Sequence, residues 1–352
     1  MSTILDFSKF EFSAEQIRNI NELAYEKILE APELALLHTI YPGIVYDKEI
    51  GFITEGGLVG VKGQGCEPTP QDWDVGTRKV LWQPKDWEVF ISECYKELEQ
   101  TAAVYALNLH TRIADLTDTD YFAILVEVLV KAVKKAIFRI IWFNDANAKN
   151  VSDGGIITDG VDTQYFDIID GLFLQLETDV VGTPRNIAIN ANAEASKADQ
   201  FNNFTPQDAY DLLSAMYYAL PVEARGSDNV KFLVTQSIAD KYQQFLMGKG
   251  IESTYKNLVE GVPALSFNGL EVVPMPLWDS MIQQYNDLGA TFYKPHRAVL
   301  AEKANIAVGF PGEEAFGEVD MWYDKTSRKS HILVMDKIDA KIINPDRVVF
   351  AE

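Results

Sequence analysis

Cysteine is nearly absent: Cys66 and Cys94 are the only two in 352 residues, and their spacing fits neither a zinc site nor a disulfide framework. Both read as reduced thiols in a cytosolic fold. Histidine is almost as scarce, and His38, His110, His296 and His331 stand far apart in sequence, each expected to be structural or superficial rather than a ligand or base. Positive charge is also in deficit. Lys and Arg total 31 against 52 Asp and Glu, a formal charge of −21 with a pI near 4.6, which argues against a protein whose main work is gripping phosphate backbones. Charges interrupt every hydrophobic stretch before it could span a bilayer, and residues 1–7 lack the cationic start and apolar core of an export signal. The expectation is a soluble chain with no membrane partner, no internal repeat and no low-complexity tail.

What is present is core-forming material, 47 % hydrophobic residues in a chain long enough for one large domain or two ordinary ones. Ser13 and Gln16 form a capping box ahead of Ile17, Ile20, Ala24 and Ile28, predicting a helix over 13–31. Seven of the 22 glycines crowd into residues 43–65, where Ile50, Phe52, Ile53, Leu58, Val59 and Val61 flank Gly56-Gly57, a hairpin signature. An isolated two-stranded ribbon is marginal in water, so this excursion needs something else to lie against. Trp73, Trp82 and Trp87 then place half of the six tryptophans within 15 residues, as expected where an excursion rejoins a core. A helix is predicted from Asp86 to Leu109, and a long, mostly covered one from Asp118 to Asn144. Thr205-Pro206-Gln207-Asp208 starts another helix with cap, N1 proline and early acid in order. Further on come a strand over 231–235 and a helix over 238–247. The remainder reads as strand at 270–273, 297–300, 319–323 and 331–343, the last two joined by a turn over 324–330. The class is α+β.

The chemistry-bearing patterns fail on physical grounds. Gly63-Gln64-Gly65 lacks a third glycine and a βαβ setting, and Gly248-Lys249 is followed by Gly250 rather than Ser or Thr. Seven carboxylates between Asp153 and Asp179, with no Lys or Arg among them, make Asp159 and Asp162 weak calcium candidates; a solvated face, or partners for basic residues across an interface, is the plainer reading. Lys131, Lys134, Lys135 and Arg139 form the one concentrated cationic stripe, either an ordinary wet helix face or a surface that softens repulsion from an enclosed polyanion. No catalytic residue and no cofactor site is expected.

Several local stretches resemble one family. Val80-Leu-Trp-Gln-Pro84, Tyr165-Phe-Asp-Ile-Ile-Asp-Gly-Leu-Phe173, Arg297-Ala-Val-Leu-Ala-Glu-Lys-Ala-Asn-Ile-Ala-Val-Gly309 and Val319-Asp-Met-Trp-Tyr323, in that order, resemble landmarks of tailed-bacteriophage major capsid proteins with the Hong Kong 97-type fold, particularly those of phages and prophages of Bacteroides-like gut bacteria. The resemblance implies an N-arm over 1–42, an extended loop over 43–83, a peripheral domain over 84–170 and 296–352 with a spine helix at 118–144, and an axial domain over 171–295. It implies no enzyme but a shell subunit. Copies would assemble into pentamers and hexamers of an icosahedral head in the host cytoplasm and end in the virion. Double-stranded DNA would be enclosed but not specifically bound. Expected partners are further copies, a portal protein, and scaffolding or decoration proteins, the scaffold being a separate protein if there is one.

On that reading Ile50, Phe52, Ile53, Leu58, Val59, Trp73 and Trp82 are intersubunit contact candidates, and the Lys131, Lys134, Lys135 and Arg139 stripe is a candidate lumen-facing surface. Some members crosslink an extended-loop lysine to an asparagine; Lys48 and Lys62 lie in the corresponding region. Two alternatives stay open: an encapsulin-type compartment with protein cargo, and a soluble hydrolase using carboxylates near Asp159 and Asp162 with His331 as base.

Overall fold

The computed structural model describes residues 37–53, 77–94, 132–150, 157–226, 229–249, 256–259, 262–311, 318–324, 326 and 329–352. The helix expected over 13–31, Leu58, Val59, Lys62, Cys66, Trp73, His110 and Lys131 lie outside them. Strands β1 (Thr39–Tyr41), β2 (Lys48–Ile53), β3 (Thr77–Trp82) and β4 (Lys85–Cys94) come first, followed by a helix over 132–143. A helix at Leu172–Asp179 and β5 (Asn186–Ile187) lead to helices at Pro206–Ala219 and Gln236–Gly248, which flank β6 (Val230–Val234). Next are β7 (Lys256–Val259), β8 (Val262–Phe267), β9 (Leu270–Pro274) and a helix at Pro276–Tyr285. Five strands close the chain: β10 (Ala298–Glu302), β11 (Ile306–Gly309), β12 (Glu318–Asp324), β13 (Lys329–Ile342) and β14 (Val348–Ala351).

These strands make a seven-stranded sheet in the order β5-β14-β10-β6-β9-β8-β7, a five-stranded sheet β1-β11-β13-β12 in which β4 also pairs with β13, and the separate ribbon β2-β3. The seven-stranded sheet joins β6 to β9, from the expected 171–295 segment, to β10 and β14 from beyond residue 296, so that boundary runs through continuous hydrogen bonding rather than between domains. The cores interlock in the same way. Leu233, Met275 and Trp278 share one apolar cluster with Val133, Ile137, Ile140 and Ile338.

The helix over 132–143 buries Val133, Ile137, Ile140, Ile141 and Trp142, the face that its hydrophobic spacing dictates. Trp142 sits 4.7 Å from Trp278 and 5.1 Å from Phe173, ring centre to ring centre, so one aromatic cluster joins three helices. Its indole N–H donates to Nε2 of buried His38 at 3.0 Å, which gives that histidine a structural task. His296 is likewise enclosed, its ring nitrogens 2.7 Å from Ser237 Oγ and 2.9 Å from the Gln200 carbonyl. Burial lowers its pKa and favours the neutral ring.

Thr205 caps the 206–219 helix in a complete capping box with Asp208, as the sequence requires. The β12–β13 hairpin also stands where it is expected, Asp324 pairing with Lys329. Residues 86–94 differ: they form β4, antiparallel to β13 from Lys85↔Ile338 to Cys94↔Lys329, instead of the start of a helix. The reason is alternation. Trp87 and Val334 are buried on one face, while Glu88, Phe90 and Ser92 are exposed on the other, and a period of two suits a strand with one covered face.

Gly171 shows how tightly these parts are fitted. Its N–H donates to the Asn144 carbonyl at 2.7 Å, and a Cβ there would lie 2.8 Å from Asn144 backbone atoms. Backbone cannot yield as a side-chain tip can, so Gly171→Ala is expected to destabilise the chain by about 1–3 kcal/mol, read as a lowered midpoint in denaturant unfolding.

Candidate assembly surfaces

The hairpin is the feature that most needs an explanation. Its ladder runs from Lys48↔Trp82 to Ile53↔Thr77, so β2 pairs with a strand that begins at residue 77; Gly56-Gly57 and 58–61 lie outside the described residues. Directly opposed residues share a face. Ile50, Val80 and Trp82 therefore look one way, and they pack with Ile44, Ala307 and Ile343 in a small cluster of their own. Glu49, Gly51, Lys79 and Leu81 look the other way and are exposed, with Leu81 52 % accessible. The Lys79–Glu49 pair at 3.0 Å is solvent-facing and adds little.

Trp82 is fully buried in its own chain, so it anchors the hairpin base and is not a surface for a neighbour. It touches Tyr41, ring centres 5.7 Å apart. The next N–H, that of Gln83, donates to Asp339 Oδ2 at 2.7 Å. Burial raises the Asp339 pKa, opposed by Lys341 and by the backbone donors. Ile50 is half-buried against this cluster; Phe52 and Ile53 lie on the outer rungs of β2. Lys48 is exposed on the first rung.

Other exposed apolar groups were not singled out by sequence reasoning. Tyr46 (77 %) precedes β2, and Phe90 (55 %) and Met335 lie on the outer face of the β4–β13 pair, where Phe90 stacks on His331 with ring centres 5.4 Å apart. The signal that could have found them is the period-two run from Asp86 to Ser92, which marks a strand with one outward face.

The cationic stripe is broken. Lys135 is exposed and Lys134 partly so, while half-buried Arg139 is tied to its own chain, its Nε donating to the Tyr165 carbonyl at 3.1 Å with the rings of Tyr165 and Phe166 each 5.5 Å from the guanidinium carbon. Burial lowers its pKa, with Tyr285 and Tyr165 opposing. The acidic loop is likewise committed to structure. Asp162 accepts from Gln164 N at 3.1 Å as a cap, Asp170 accepts from Ala146 N at 3.1 Å, and Glu177 pairs with Lys294 at 3.1 Å. Asp159 is exposed in a turn. Among the described residues no three His, Cys, Asp or Glu groups gather to hold a metal, and no helix is long and apolar enough to cross a membrane. His331 belongs to the β4–β13 sheet, stacked on Phe90, while Asp162 caps a short helical turn.

Between the 132–143 helix and the β4–β13 sheet lies a cavity of about 940 Å³, walled by Trp87, Val89, Ile140, Arg139 and Asp336 among others. Asp336 is 6 % exposed. Its Oδ1 accepts from Lys337 N at 2.7 Å, and Oδ2 has no partner among the described residues.

No protein-family model matches the chain, and no curated protein matches it in sequence. Solved structures do. A chain of the satellite phage P4 procapsid including its size determination (Sid) protein aligns with 97 % of this chain and 99 % of its own length, at TM-score 0.54 and 10 % identity. The fold is the Hong Kong 97-type capsid fold. The capsid of a native GTA particle (TM-score 0.49, 10 % identity, 92 % of this chain and 89 % of that one) and the holo-SrpI encapsulin of Synechococcus elongatus (0.47, 11 %, 100 % and 96 %) are also similar.

Burial pushes the Asp336 pKa from 3.8 up to about 7. Because the folded pKa lies above the unfolded one, the native state binds the extra proton between about pH 4 and 7, and stability falls as pH rises through that window. Asp336→Asn is therefore expected to stabilise dissociated subunits by roughly 1–3 kcal/mol at pH 8 and to change little at pH 4, measured by urea unfolding at both.

Proposed function

We propose that this chain is the major capsid subunit of a tailed phage or prophage, of the kind found in Bacteroides-like gut bacteria. On this reading it self-assembles into the pentamers and hexamers of an icosahedral head around double-stranded DNA. The observation that carries the proposal is a shell-forming fold over nearly the whole chain combined with a hairpin that packs its Ile50, Val80 and Trp82 face into a small cluster and leaves Glu49, Lys79 and Leu81 exposed on the other. A ribbon of two strands needs cover, and a second copy is the cover that a closed symmetric assembly supplies. Ile50, Phe52, Ile53, Leu58, Val59 and Trp73 are the contact candidates, joined by Tyr46, Leu81, Phe90 and Met335, whose exposed surface suits burial by a neighbour.

The charge of −21 fits a container. An acidic shell repels the polyanion it encloses, and the repulsion between copies is screened within about 8 Å at physiological salt. Lys131, Lys134 and Lys135 are then the residues of the stripe proposed to face the lumen. A portal protein is the further partner expected of this role, with scaffolding and decoration proteins as optional ones, and no catalysis is assigned.

Expression of the full chain is expected to yield closed particles by electron microscopy, and particles from a phage lysate are expected to contain double-stranded DNA. Protein cargo in place of DNA would favour a storage compartment. Deleting residues 48–62 is expected to leave a soluble subunit with near-native circular dichroism and no closed particles; full-sized shells from that variant would contradict the role given to the hairpin.

A further inference from the structure

The chain runs into and out of the hairpin at a single rung of the body. Ile44 leads into β2 and Trp82 ends β3, and a Cβ placed on Gly309 would lie 2.7 Å from Trp82 Cζ3 and 3.0 Å from Ile44 Cγ1. Gly309 does not have a left-handed φ, so what demands glycine here is space. Directly across the β11–β13 ladder from Gly309 stands Asp339, the 2 %-exposed carboxylate whose Oδ2 accepts from Gln83 N at 2.7 Å. Its Oδ1 accepts from Ala340 N at 2.8 Å and lies 3.4 Å from Lys341 Nζ. Ile44 N also donates to the Phe310 carbonyl at 2.9 Å. Residues 44, 82 and 83 are thus all held at this one level of the sheet.

We propose that Gly309 and Asp339 are positioning residues that set the angle at which the β2–β3 hairpin leaves the body, so that they determine how copies close rather than whether each copy folds. The inference rests on the assembly reading above and adds the residues that control it. The six-residue ladder reaches about 20 Å from its base. A close-packed base cannot absorb an added methyl without moving the ring it meets. Any tilt of Trp82 is therefore carried along the ladder to the outer rungs, where a neighbouring copy would be met. Asp339 holds the next peptide by a charge-assisted bond, the stronger kind, so ring and backbone are fixed independently.

The test uses the full-length chain assembled under one condition, with particles sized by electron microscopy and subunit folding followed by thermal unfolding. Gly309→Ala and Asp339→Ala are each expected to unfold cooperatively yet to lose at least tenfold in closed particles of wild-type diameter, giving altered diameters or open sheets. Asp339→Asn keeps an oxygen acceptor for Gln83 N–H and is expected to restore much of that yield. Thr205→Ala, which removes a helix cap far from the rung, is expected to lower stability and leave the diameter unchanged. Wild-type diameter and yield from both Gly309→Ala and Asp339→Ala would overturn the proposal, as would an equal defect in Thr205→Ala. If Gly309→Ala does not fold, Asp339→Ala and its Asn rescue decide alone. A wild-type chain that makes no particles overturns the assembly reading itself, and this inference with it.

Discussion

A ribbon of two strands that pairs with no third strand among the described residues sets what the rest of this chain must do. Each outer edge of β2 and β3 presents peptide groups with no partner strand among the described residues, and such edges invite pairing or cover. The attachment is correspondingly strong: a buried tryptophan, a glycine that admits it, and a buried carboxylate gripping the following peptide. A firm base under an under-supported ladder is an economical way to present backbone and side chains to another molecule in a fixed direction.

The electrostatics point the same way. Many of the cations are engaged within the fold. Lys294 binds Glu352 at 2.7 Å and Glu177 at 3.1 Å, and buried Arg297 lies over Phe173 with its Nε on the Lys294 carbonyl at 3.0 Å. Lys197 joins Asp287 at 2.6 Å, an ion pair that lowers the carboxylate's pKa. With 31 Lys and Arg against 52 Asp and Glu the chain carries a large net negative charge, and copies approach most readily where charge is sparse. Leu81, Phe90 and Met335 offer such places, and none of them needs a complementary charge on the partner.

Much of this was legible in the sequence where one local rule acted alone. The Thr205 cap, the β12–β13 hairpin, the 270–273 strand and the covered face of the 132–143 helix follow from spacing and capping, and the structure has them all. Legibility failed where distant partners decided. Residues 86–94 carry apolar groups compatible with a helix as well as a period-two alternation, and pairing with distant β13 decides for the strand. Trp82 looked like a contact for a neighbour because nothing local reveals Gly309, more than two hundred positions away, as its seat. Arg139 left the cationic stripe for the same reason, since the carbonyl and rings it prefers come from residues 165 and 166. The division at 296 is crossed by a parallel β5–β14 pair and the antiparallel β6–β10 pair, which knit strands from both segments into one sheet.

The central claim is that the hairpin acquires its stability from neighbouring copies. Hydrogen–deuterium exchange of the amides in 48–53 and 77–82, compared between dissociated subunits and assembled particles, tests it most directly. The account predicts fast exchange of the outer rungs in the dissociated subunit, slow exchange in the particle, and little change in β10 or β14. Equal protection of the ladder in both states would contradict it, because the hairpin would then be stable without any neighbour.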